Sequence, residues 1–341
     1  MAQTAFATNN ALTKKVWEEK LFRDSVKESY FSKFMGQDQS SLVYVKTQLE
    51  KGQGDTVYFG LRMRLTGAGV EDEQTLEGNE EALSTYDYSL ALKEYAHAVR
   101  DKGALSRKRA MFSIDTESKQ ALQDWGSEKV DQLAFDALLT TPTKTLYLDS
   151  SAVFQGDTAA NAKAGLHATN SKITPNFISA AKTWAKTGGN RAYIPIRPVK
   201  VQGKEYFILL VHPDCMYDLK ANSTFQQAMR EAEVRGPSNP LFTGAAAIYD
   251  GVVIHEHENC TLGTDGGASG NVAWAKCALM GQQSLCWAWG ARPSIVQETF
   301  DYQRQHGYAW SMIARCGKPQ FNSLDYGSLG VYLARTQISD N

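Results

Sequence analysis

Thr56-Val57-Tyr58-Phe59-Gly60-Leu61-Arg62-Met63-Arg64-Leu65-Thr66 alternates in side-chain character from one residue to the next. Val57, Phe59, Leu61, Met63 and Leu65 share one face, and Tyr58, Arg62 and Arg64 share the other. That period of two predicts a half-buried strand. A return strand follows, with Tyr86, Tyr88, Leu90 and Leu92 in phase, and Asp87, Ser89 and Lys93 opposite. The phase then flips to Tyr95, His97 and Val99, as at a bulge. Between the strands lies an acidic tip of Glu71, Asp72, Glu73, Glu77, Glu80 and Glu81, with no Lys or Arg among them. At about 3.3 Å per residue, the first strand reaches on the order of 35 Å. A lone two-stranded ribbon is marginal in water, so its apolar face needs a second surface, for which a neighbouring chain is a candidate.

Working outward, apolar residues recur from Leu12 to Phe34, among them Val16, Trp17, Leu21, Phe22 and Phe31, interleaved with charges. The pattern predicts an amphipathic helical arm. After the ribbon comes a basic stretch containing Arg100, Lys102, Arg107, Lys108 and Arg109. A long helix follows, with Asp115 as N-cap, Glu117 in the first turn, and Leu122, Trp125, Val130, Leu133 and Leu138 at helical spacing, ended by Pro142. Residues 143–170 hold few large apolar groups and read as loop. A second helix is expected from Pro175 to Lys186, stopped by Gly188-Gly189. Tyr206–Val211 (YFILLV) suits a strand buried on both faces, followed by short helices around 216–220 and 225–234. Alternation returns at Tyr308, Trp310 and Met312, then at Leu329, Val331 and Leu333. There is no internal repeat. The class is α+β.

The 341 residues are 43% hydrophobic and 21% charged, with a net charge of -1. A free-standing nucleic-acid binder shows a basic surplus, and this chain has none. The near-neutral balance does not exclude a surface that merely faces DNA, because a lining of Lys and Arg would grip phosphates. Five cysteines without a CxxC pair argue for reduced, buried thiols in a cytosolic chain. The N-terminus lacks the build of a signal peptide, and no apolar run is long enough to cross a bilayer. His255-Glu256-His257 with Cys260 is the one cluster resembling a metal site, weighed against a plain polar strand end. The Gly263–Gly270 stretch lacks the Gly-Lys-Ser/Thr ending of a phosphate loop and reads as a mobile surface loop. No nucleophile elbow exists and no triad or carboxylate pair stands out. Trp287 and Trp289 share a strand face and read as packing rather than a sugar platform. No catalytic, cofactor or metal residue is nominated, and no enzymatic activity is expected.

The order of parts resembles the Hong Kong 97-type fold of tailed-bacteriophage major capsid proteins: an amphipathic arm, a long hairpin with an exposed tip, a long helix, an inserted mixed region and late returning strands. Three segments are similar to one branch, the podovirus-type phages that package a virion RNA polymerase. They are Lys51-Gly52-Gln53-Gly54-Asp55-Thr56-Val57, LLVHPDCMYDLK from Leu209, and NPLFTGAAAIYDGVVIHEH from Asn239. The resemblance spans roughly residues 12 to 336. It implies an N-terminal arm (1–40), an extended loop (41–100), a peripheral domain with its spine helix (101–142 and 286–341) and an axial domain (143–285). The implied function is a structural subunit that self-assembles as hexamers and pentamers of an icosahedral shell around double-stranded DNA, touched without sequence specificity. Implied partners are a separate scaffolding protein, a portal and decoration proteins, with no membrane. The implied location is the virion, after the host cytoplasm. Candidate contacts between subunits are Trp17, Leu21 and Phe22 of the arm, and the acids Glu71, Asp72, Glu73 and Glu77 reaching Arg107, Lys108 and Arg109 of the next copy. Deleting residues 1–35 is expected to spare the subunit fold. The rivals are an encapsulin-like compartment shell, which shares the fold, and a hydrolase with a dispersed site.

Overall fold

The computed structural model describes residues 29–337, apart from 51, 64, 66, 68, 73, 110–113, 152–153, 192–193, 202 and 232–244. Two sheets and one long helix organise them. The five-stranded sheet runs in the order Met35–Gly36, Val43–Lys46, Leu285–Phe300, Gln305–Gly317, Lys93–Arg100. The larger sheet has nine strands, with Lys204–Val211 and Val272–Met280 at its centre and Ser328–Ala334 beside them.

The spine helix runs from Ile114 to Leu139, so Asp115 lies inside its first turn rather than capping it. There its carboxylate still faces the positive end of the helix dipole. One helix face carries Leu122, Val130, Ala134 and Leu138 into the main core, beside Trp287, Trp310 and Met312 of the five-stranded sheet. The central strand Lys204–Val211 divides the interior. Ile208 and Leu210 point into that core, while Phe207, Leu209 and Val211 point into a second one with Phe177 and Met216. The unbroken apolar run is thus buried on both faces, as read.

Several expectations change. The phase flip after Leu92 is no bulge: the ribbon strand Thr85–Ala91 ends, and Lys93–Arg100 enters the five-stranded sheet against Gln305–Gly317. A chain that changes sheets shows its core from the other side. The regular first strand is also shorter, Thr56–Arg62. Residues 143–170 are not loop, since they hold strands Thr145–Leu148 and Phe154–Asp157 and the helix Ala159–Ala164. A four-residue strand buried throughout offers no alternation to read. The helix from Pro175 is assigned through Arg191, although Gly188 and Gly189 take φ of +65° and +58°, the left-handed values that end helical geometry. The first half of the glycine stretch, as far as Gly266, belongs to the strand Thr261–Gly266 paired with Val272–Met280, and residues 267–270 form the turn between the two. A Cβ on Gly263 would lie 2.5 Å from the Trp274 indole, which explains the glycine there. Residues 286–341 do not return to one sheet: Ser328–Ala334 joins the nine-stranded one, between Val272–Met280 and Thr145–Leu148.

The arm expected over 12–34 lies outside the described residues as far as 28. What is described, a 3-10 turn at Tyr30–Phe34, belongs to the subunit itself. Phe31 is fully buried and Phe34 nearly so in the main core. Deletion through residue 35 therefore removes core residues.

Candidate assembly interface

Among the described residues, the ribbon packs on its own chain at the base. Val57, Phe59 and Leu90 pack on Cys286, Ala288 and Tyr44. On the opposite face of the base Tyr58 is exposed, and farther out so are Leu65, Leu76, Leu83 and Tyr86. Glu71, Asp72 and Glu77 at the tip are exposed, while Glu81 accepts from the Gly67 amide at 2.6 Å and Glu80 from Gly78 at 2.8 Å. Glu73 lies outside the described residues, as do Trp17, Leu21 and Phe22.

The basic partners predicted for this tip divide into two kinds. Arg107 is engaged at home: its guanidinium meets Asp101 at 2.5 Å and donates to the Arg304 carbonyl at 3.2 Å. Asp101 in turn accepts from the His306 amide at 2.7 Å. Lys108 and Arg109 are exposed on the short helix Ala104–Arg109. Among the described residues, no ion pair joins the tip acids to these three cations within one chain.

Asp131 anchors the N-terminal turn, a role the sequence did not disclose. From the middle of the spine helix its carboxylate accepts from Ser29 Oγ at 2.5 Å, the Tyr30 amide at 2.8 Å and the Phe31 amide at 3.2 Å. Its partners lie about a hundred residues away in sequence, so no local pattern marks it.

His255 and His257 pack against the same turn through their rings. The His255 ring meets Tyr30 and Phe34 edge-on at 5.9 and 5.6 Å. His257 lies 4.4 Å from Phe135 and 4.8 Å from Tyr30. The Cys260 thiol hydrogen-bonds the Cys277 thiol. Burial lowers the His257 pKa below the ordinary value, with Lys33 adding to the effect and Asp131 and Glu258 opposing it. A depressed histidine lets the unfolded chain take up its proton first, so this contribution is intact above the ordinary pKa and is lost as pH falls through the lowered one. The subunit is therefore expected to melt at lower temperature at pH 5 than at pH 7.5. The difference should shrink in His257→Phe; an equal difference in both proteins would remove His257 as its source.

Among the described residues, the one group with metal-ligand spacing is Asp101, Asp115 and His306. Arg107 already neutralises Asp101, and His306 Nδ1 lies 3.4 Å from Asp115. The group ties the start of the spine helix to the strand at Gln305. Trp287 and Trp289 are core residues with centroids 5.1 Å apart. All five cysteines are buried and unpaired. These features build the subunit, whereas the exposed apolar ribbon is surface a single copy leaves open to water, as contact surfaces between proteins are.

Comparison with known proteins agrees. A family model described as phage capsid protein matches residues 5–332. The major capsid protein of Pseudomonas phage KPP25 is 28% identical over 368 aligned positions, covering 97% of each chain. The capsid of Ralstonia phage GP4 superposes with a TM-score of 0.79 at 25% identity over the whole of both chains. The cyanophage Pam1 capsid gives 0.74 at 23% identity, covering 98% of this chain and 99% of that one. The branch read from the sequence is narrower than what these relatives establish. With its ribbon, long helix and two sheets, the chain has the Hong Kong 97-type fold and belongs to the phage capsid protein family.

Proposed function

We propose that this chain is the major shell subunit of a tailed-phage head. Copies assemble as hexamers and pentamers of an icosahedral shell, and the role is structural rather than catalytic. The observation that carries the reading is the ribbon: it leaves Tyr58, Leu65, Leu76 and Leu83 exposed, in a family whose members are capsid proteins. Residues 1–40 serve as arm, 41–100 as extended loop, 101–142 with 286–341 as peripheral domain and 143–285 as axial domain, with Ser328–Ala334 contributing to the axial sheet. A scaffolding protein sets the size, a portal admits double-stranded DNA, and decoration proteins dress the outside. The subunit resides in the virion, after synthesis in the host cytoplasm. Purified protein, with scaffold, is expected to give capsomers and shells by negative-stain electron microscopy. A strictly monomeric species at high concentration by light scattering would refute the reading.

The acidic tip is proposed to meet Lys108 and Arg109 of the next subunit, with Trp17, Leu21 and Phe22 packing on a neighbour. Arg107 stays with Asp101. One exposed pair contributes only about 0.2–1 kcal/mol, but the contact recurs at every subunit boundary. Reversing Glu71, Asp72 and Glu73 to Lys should slow assembly at low salt, and adding Lys108→Glu with Arg109→Glu should partly restore it. Assembly of the triple mutant at the parent's rate in low salt would show that the tip is merely solvated.

A further inference from the structure

The hairpin joining Leu285–Phe300 to Gln305–Gly317 ends in Asp301-Tyr302-Gln303-Arg304. Asp301, Tyr302 and Gln303 take φ of +49°, +48° and +68° in succession. No glycine relieves this left-handed run, and such positions persist in a fold only when the surroundings hold them. Here they do. The Arg304 amide donates to the Asp301 carbonyl at 3.0 Å, Arg107 grips the Arg304 carbonyl at 3.2 Å, and Arg100 lies 4.1 Å over the Phe300 ring. On this braced turn Tyr302 is 99% exposed. It is an aromatic knob left open by the described residues of its own subunit.

At the other end of the same hairpin is a cleft of about 170 Å³ walled by Tyr44, Phe59, Phe321 and Tyr326, with Lys46 and Gln283 at its lining. Its walls are set, since Tyr44 packs edge-on to Phe59 at 5.8 Å and Phe321 to Tyr326 at 5.4 Å. The Lys46 ammonium lies 4.6 Å over the Phe59 ring. Aromatic walls favour an aromatic ring edge to face, and glutamine supplies a partner for a phenol hydroxyl. Lys46 donates to the Tyr58 carbonyl at 2.6 Å and Asp301 lies 3.5 Å from Arg304, so charge adds little and the aromatic fit carries the contact. Cys286, which lines the cleft, pairs with Gly317, whereas Phe300 pairs with Gln305 at the turn. Fourteen residues of strand separate them, roughly 40 Å at about 3.3 Å per residue after two register irregularities. A subunit's own Tyr302 therefore has no access to its own cleft.

We propose that Tyr302 of one copy inserts into the Tyr44–Phe59–Phe321–Tyr326 cleft of another. Knob and hole at opposite ends of one hairpin make a head-to-tail contact, the kind that closes into rings where the rotation allows. The proposal rests on the shell reading above and adds to it a contact distinct from the ribbon. Its test places the photo-crosslinker p-benzoylphenylalanine at position 302 of the full chain. Irradiated particles should yield peptides joining residue 302 to 59–61 or 319–326, and unassembled protein should not. Tyr302→Ala, which removes a solvent-exposed side chain and spares the fold, should raise the protein concentration needed for assembly about tenfold, as loss of an aromatic anchor does, while Tyr302→Phe stays near the parent. Particles whose crosslinks fall elsewhere, or a Tyr302→Ala protein assembling at the parent's threshold, overturn this contact and leave the shell reading intact. A parent protein that forms no particles overturns both.

Discussion

Trp310→Ala is expected to destabilise the subunit by about 3–5 kcal/mol, the range for deleting a fully buried Trp or Phe side chain. The indole is wholly buried and stands edge-on to Trp125 at 5.1 Å. It also fills the notch at Gly126 of the spine helix, where an added Cβ would lie 2.8 Å from its ring. One residue thus couples the spine helix to the five-stranded sheet, and alanine leaves a cavity between two rigid elements that close on it poorly. Urea unfolding of unassembled protein, followed by circular dichroism, measures the loss. Trp310→Phe should lose much less. A Trp310→Ala loss below about 1 kcal/mol would mean that helix and sheet collapse onto the gap, and that the coupling is softer than the packing implies.

Asp131→Ala is expected to release the N-terminal turn and, with it, assembly. A hydrogen bond to a charged group contributes about 1.5–3 kcal/mol, and this carboxylate holds three donors, including the amide of the fully buried Phe31. Non-additive, the three together are worth on the order of 3 kcal/mol. Amide exchange over residues 30–35 should accelerate by about a hundredfold, while the helical circular dichroism of the spine stays. Unchanged exchange would mean that Phe31 and Phe34 alone seat the turn. A chain beginning at residue 29 makes the complementary comparison: it keeps the anchor, should melt like the parent, and should fail in assembly if the arm before it reaches a neighbour.

Local pattern in the sequence determined much of the architecture. The period of two at Thr56–Arg62 and at Tyr308–Cys316, the helical spacing from Leu122 to Leu138 with its stop before Pro142, and the two-faced burial of Phe207–Val211 are all present in the fold. Each is a long run in which one face meets water and the other does not, or neither does, and that asymmetry is written residue by residue. The resemblance to phage capsid proteins likewise rested on the order of these runs. Of the candidate contacts, the exposure of Glu71, Asp72 and Glu77 followed from their charge, because nothing nearby offered to pair them. What only the tertiary structure decided is which surfaces meet. The flip after Leu92 reads the same for a bulge and for a change of sheet, since both invert the buried face. Thr145–Leu148 is too short to alternate, and Gly263 is explained only by the Trp274 ring against it. Phe31 continues the apolar pattern of an arm, yet it is core because Asp131 and Phe135 stand where it lands. Arg107 looks like Lys108 and Arg109 in sequence, and only the turn at Asp101 gives it a partner within its own chain. Pairing is a long-range property: the free energy of each contact belongs to two residues at once, and the chain spells out only one of them at a time.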